Sequence, residues 1–186
     1  MSDLLSKFIT QAINLYGHKG NEICRQSILE TNLNGIVEDI SNKILIKSFY
    51  RDKSLDLKID DLVVELKILR KGRNWGLEEI LIELYLISQG RIKIENLKTK
   101  SLKYLALVWN EQREPKRNWE EDKEDIELLM KVTGKEVKVE KYTLQNIKEE
   151  TNKIQKIANY INSSPYSYLE IDSNDNIILK LATTKE

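Results

Sequence analysis

Residues 54–68 read SLDLKIDDLVVELKI. Apolar and charged side chains alternate along this stretch, the period of a strand with one face against a core. Asp60-Asp61 breaks the alternation and reads as a two-residue hairpin loop. Counting back from that loop sets Leu57 opposite Val64 and Asp56 opposite Glu65. Side chains alternate between the faces of a strand. One face of the hairpin is aliphatic, with Leu55, Leu57, Ile59, Leu62, Val64, Leu66 and Ile68. The other carries Ser54, Asp56, Lys58, Val63, Glu65 and Lys67. Two directly opposed carboxylates repel, at a cost in stability that a cation between them removes. The stretch therefore has two readings: a ladder with one solvated face, on which Lys58 and Lys67 offset the acids, or a metal site.

The surroundings bear on the choice. Ser2 and Asp3 can cap a helix to about Tyr16, which Gly17 and Gly20 end. A second helical region spans about Asn21 to Asn42, with Leu29, Leu33, Ile36, Ile40 and Ile44 at spacings of three and four, and Gly35 as a possible break. KILIKSFY (43–50), SLDLKI (54–59) and LVVELKIL (62–69) then read as a three-strand meander. Trp75 to Gln89 is an apolar helix destined for burial against the sheet, with Gly90 beyond its end. SLKYLALVW (101–109) has the two-sided apolarity of an inner strand. An acidic helix (118–134), a strand (135–143), a helix (144–161) and a final hairpin (YSYLEID and NIILKLA) follow. The expected fold is α/β (α+β) with a mixed sheet, in one domain over 1–186. Residues 1–20 give an N-terminal helix, 21–143 a core, and 144–186 a C-terminal helix and hairpin appendage.

An acid on one strand followed by acid-x-lysine on the next resembles the PD-(D/E)XK nuclease superfamily. Here the residues are Asp56 and Glu65-Leu66-Lys67. The order helix, three-strand meander, helix, strand over Asn21–Trp109 is similar to that family's restriction endonuclease-like core and covers a little over half the chain. The chain departs from the pattern at Leu55, where the family has proline. Acid-x-lysine also occurs at Asp56-Leu57-Lys58, Glu121-Asp122-Lys123 and Glu136-Val137-Lys138. Those copies lack an upstream acid across a hairpin and a following helix.

The resemblance implies a metal-dependent nuclease acting on DNA, with RNA as an alternative substrate, or a non-cleaving binding module on the same core. The residue types suit the chemistry. Carboxylate oxygens are hard ligands for Mg²⁺ or Mn²⁺ at Asp56 and Glu65. Lys67 can orient the attacking water or offset negative charge in the transition state. The resemblance adds the Leu66 backbone carbonyl as a metal ligand. It also adds an acid from the helix before the meander, for which Glu38 is the first candidate and Glu30 the second. Arg70, Lys71 and Arg73 follow the metal-binding strand and can touch flanking phosphates. Trp75 can stack on a base or enter the core. Arg113, Lys116 and Arg117 form a second basic run.

Composition narrows the field. The formal net charge is +0, so any nucleic-acid contact must come from local basic patches. Cys24, the only cysteine, permits no internal disulfide and fits a cytoplasmic setting. It reads as a small buried hydrophobe, and with His18 the lone histidine, a zinc site has too few ligands. No apolar run approaches a membrane span, and nothing resembles a signal peptide. There is no P-loop or dinucleotide fingerprint. A homodimer would supply two sites for a duplex. The seam Leu144, Ile147, Thr151, Ile154, Ala158 and Ile161 is a candidate surface for it, or packs on its own domain.

Overall fold

The computed structural model describes residues 2–41, 45–46, 53–70, 75–90, 92–93, 102–112, 119–149, 151–172 and 176–183. In chain order these form α1 (Ser2–Asn14), α2 (Glu22–Asn32), β1 (Glu38–Asp39), β2 (Leu45–Ile46), β3 (Lys53–Ser54), β4 (Leu57–Ile59), β5 (Leu62–Leu69), α3 (Trp75–Ser88), β6 (Ile92–Lys93), β7 (Lys103–Asn110), α4 (Trp119–Val132), β8 (Glu136–Thr143), α5 (Leu144–Glu149), α6 (Thr151–Ser163), β9 (Tyr166–Asp172) and β10 (Asn176–Thr183). The fold is mixed α/β. A seven-stranded sheet runs β1-β4-β5-β7-β9-β10-β8, and β3-β2-β6 form a small second sheet. At the centre of the large sheet β5, β7 and β9 are mutually parallel; the outer pairs are antiparallel.

Helices cover both faces of the large sheet. On one face Phe8 and Ile9 of α1, Leu29 of α2 and Ile157 and Ile161 of α6 pack against Leu66, Leu107 and Leu169. On the other, Leu77, Ile80 and Leu84 of α3 and Ile126 and Met130 of α4 pack against Val63, Tyr104 and Val108. Two covered faces explain the unbroken apolar run of β7, in which Tyr104 to Trp109 are fully buried.

Several expectations are corrected. The helix that begins after Asn21 ends at Asn32 and does not run to Asn42. Gly35 adopts φ 84°, a left-handed value that turns the chain toward β1. The strand beside β4 is therefore Glu38–Asp39, while Leu45–Ile46 of the expected first meander strand lies in the small sheet. Residues 42–44 and 47–52 lie outside the described residues. The final hairpin is not an appendage: β9 pairs with β7 inside the sheet, and β10 joins it to β8. The 144–161 seam faces inward, with Ile147, Ala158 and Ile161 in the core beside α1, so it offers no dimer surface. Among the described residues no helix is long and apolar enough to cross a membrane.

Candidate active site

The hairpin of β4 and β5 turns at Asp60-Asp61 and pairs Ile59 with Leu62, Lys58 with Val63 and Leu57 with Val64. That is the register the alternation predicts. Beyond Val64 the ladder between the two strands stops, which leaves the next inward-facing amides of β5 without strand partners. Carboxylates take their place. The Leu66 N–H donates to Asp56 Oδ2 at 2.8 Å, and the Ile68 N–H donates to Glu22 Oε1 at 3.0 Å. In an antiparallel ladder the N–H and C=O of one residue face the same neighbour, so the Leu66 carbonyl faces the edge that Asp56 caps.

Glu22 stands there because of its helix. Asn21 caps α2, its side chain accepting from the Cys24 N–H at 3.0 Å. The same turn is anchored by Arg25, which is fully buried, lies 5.0 Å from the centre of the Trp109 ring and ion-pairs with Glu111. The first turn of α2 is thereby held against the C-terminal ends of β5 and β7.

The other side of β5 does not face solvent, contrary to the ladder reading with one solvated face. Glu65 and Lys67 are only 4% and 7% exposed, because α3 lies over them. Lys67 Nζ is 3.0 Å from Glu65 Oε1 and also donates to Glu79 of α3. Glu83, one turn further along α3 and 1% exposed, accepts from the Tyr104 hydroxyl at 2.8 Å. One carboxylate oxygen from each of Glu65, Glu79 and Glu83 lies within 4.8 Å of the others. Glu65 Oε2 is buried with no hydrogen-bond partner, an arrangement that normally costs about 1–3 kcal/mol.

The electrostatics follow from this crowding. Burial pushes the Asp56 pKa up, with Glu22 adding to the push and the Leu66 N–H and Lys67 pulling it back. Burial, then Glu83 and Asp56, hold the Glu65 pKa well above the usual carboxylate value against the pull of Lys67. Burial opposes the Lys67 charge, but Glu65, Glu79 and Glu22 together hold its pKa above the ordinary lysine value. Burial and then Glu83 raise the Tyr104 pKa, so the phenol keeps its proton and remains a donor. An all-oxygen donor set with a buried carboxylate oxygen left unpartnered suits a hard divalent cation.

Of the sequence candidates, Asp56, Glu65, Leu66 and Lys67 converge. Glu38 does not join them: it lies in β1 opposite Lys58, 3.9 Å from that ammonium, with its side chain half exposed. Glu30 is engaged by Gln26 at 3.1 Å. The helix acid that reaches the strand is Glu22, at the start of α2 and not at the end nearer the hairpin in sequence. Glu79 and Glu83 were also missed, although two acids four apart on a largely apolar helix share a face and mark it as unusual. Arg70 is exposed, donates to the Gly20 carbonyl at 3.2 Å, and with Glu22 and Ile68 lines a cavity of about 280 Å³. Lys71, Arg73, Arg113, Lys116, Arg117 and the side chain of Trp75 lie outside the described residues. His18 Nδ1 accepts from the Gly20 N–H, and Cys24 is exposed, not buried.

No family model, curated protein or solved structure matches this chain.

Proposed function

We propose that the chain is a metal-dependent nuclease that hydrolyses phosphodiester bonds in DNA, with Mg²⁺ or Mn²⁺ as its cofactor. One observation carries this reading: Asp56 and Glu65 meet where β4 leaves β5, with Glu65 Oε2 buried and unpartnered and Lys67 beside it. Asp56, Glu65 and the Leu66 carbonyl would hold the ion. When bound, such an ion neutralises phosphate charge and makes a water ionise near neutral pH.

The chain's own groups supply the rest. The Leu66 N–H fixes the Asp56 carboxylate in position. Lys67 keeps its proton at any physiological pH, so it can bind a phosphate oxygen or hold a water by donating to it. Arg70, exposed at the end of β5, adds positive charge for flanking phosphates. The single exposed thiol suits the reducing cytoplasm.

The test is incubation with plasmid, linear, single-stranded and branched DNA and with RNA, in Mg²⁺, Mn²⁺ or EDTA. Cleavage should need the metal. Asp56→Ala, Glu65→Ala and Lys67→Ala should each abolish it while remaining folded, and Asp61→Ala, in the turn, should leave most of it. Cleavage of RNA alone would redirect the substrate assignment. Absence of cleavage on every substrate would sink the enzymatic reading. It would favour a non-cleaving binding protein, in which the grip of Glu79 on Lys67 is permanent.

A further inference from the structure

The cavity beside the proposed ion has no part in holding it. It measures about 280 Å³ and is lined by Asn21, Glu22, Ile23, Ile68 and Arg70. We infer that this cavity seats one unpaired nucleoside next to the scissile phosphate, so that the chain acts on single-stranded stretches of DNA. The inference rests on the nuclease reading for its substrate and adds where the neighbouring base goes.

Four observations support the seat. The first is position. Glu22 both lines the cavity and accepts from the Ile68 N–H, as Asp56 accepts from the Leu66 N–H. Two residues of a strand span about 6–7 Å, the reach of one sugar–phosphate unit. A chain whose phosphate meets an ion at Leu66 therefore brings its next sugar to Ile68. The second is charge. Arg70 is exposed, and the Gly20 carbonyl accepts one of its N–H groups at 3.2 Å. A guanidinium carries five donors in a fixed fork, so the others can hold a phosphate at the mouth. Glu22 repels a second phosphate inside the cavity but can accept from a sugar hydroxyl or a base amino group. The third is the apolar lining. Ile23 is 73% exposed on the first turn of α2, and Ile68 is half-buried. An isoleucine so exposed gains by packing against a base. The fourth is size. The volume lies just under the range of about 300–1,000 Å³ for pockets that hold drug-sized ligands. That admits one nucleoside and excludes a base pair.

The experiment reads binding in EDTA and not cleavage. Thymidine monophosphate, added to isotope-labelled protein, should shift the backbone amide resonances of residues 21–23 and 68–70 to saturation. Deoxyribose phosphate, which has no base, should bind roughly tenfold more weakly. Ile23→Ala should weaken thymidine monophosphate roughly fivefold and leave deoxyribose phosphate unchanged, while Ile23→Leu should bind like wild type. Arg70→Ala should weaken both. A short single-stranded oligonucleotide should bind more tightly than its blunt duplex, and Ile23→Ala should narrow that difference. Deoxyribose phosphate or inorganic phosphate binding as tightly as the nucleotide would overturn the seat. So would unmoved resonances at these residues, or a duplex bound as tightly as the single strand. Metal-dependent cleavage alongside any of those results would leave the nuclease reading intact. Nucleotide binding here without cleavage of any substrate would sustain the seat and remove the nuclease.

Discussion

The surroundings of Glu65 oppose its ionisation, burial first and then Glu83 and Asp56, and that opposition is measurable. A carboxyl whose pKa is raised on folding contributes stability in full below its unfolded pKa and loses it as pH rises through the folded value. In EDTA, Glu65→Gln should therefore melt above wild type at pH 7–8, and the difference should shrink toward zero near pH 4–5. A difference independent of pH would show that the Glu65 charge costs nothing in the fold. Tyr104→Phe acts in the opposite direction, because it strips a donor from the buried Glu83 carboxylate. Hydrogen bonds to charged groups contribute about 1.5–3 kcal/mol, and urea denaturation should find a loss of that size. Cys24, exposed at the start of α2, should react with a thiol reagent in the native protein as fast as in the unfolded chain, within a small factor.

At the scale of elements, the β4–β5 turn fixes which carboxylates meet. Asp60 sits at φ 52°, a left-handed conformation that aspartate tolerates and β-branched residues do not. Asp60→Val should cost about 1–2 kcal/mol by denaturant titration, whereas Asp60→Gly should stay close to wild type. The hairpin was legible in the sequence because period-two alternation and a two-residue loop together set its register. Asp56, Glu65 and Lys67 could be read off for that reason. Glu22 could not, since its role depends on where β4 parts from β5, and no local pattern encodes that separation. Glu38 was misplaced because the Leu29, Leu33, Ile36 and Ile40 spacing continues past Gly35, and the left-handed glycine overrides it. The place of β9 beside β7 was equally hidden: YSYLEID announces a strand but not its neighbour.

For the whole molecule, zero net charge conceals a strongly acidic interior site. Divalent cations should stabilise the fold by mass action, by about 2.7 kcal/mol at a hundredfold excess over the dissociation constant. For a chain of this length that is a rise in Tm of roughly 5–11 °C. Scanning calorimetry with Mn²⁺ against EDTA should show it, and Asp56→Asn combined with Glu65→Gln should abolish it. Cutting both strands of a duplex needs two sites. The seam on α6 is already covered by α1, so any pairing of chains must use another face; light scattering with and without duplex DNA reports whether pairing occurs.

The sheet order also sets a schedule for synthesis. β5 and β7 leave the ribosome well before β9, yet β7 cannot gain its second neighbour until residues 166–172 have emerged. Until then the nascent chain presents a strand edge whose central residues, Tyr104 to Trp109, are all apolar or aromatic, the kind of template on which chains cross-pair. α1 waits as long for α6, so neither end of the fold matures early. Translation pauses after residue 143 should therefore expose this protein to aggregation more than pauses earlier in the chain, and a chaperone that shields β7 should act in that interval.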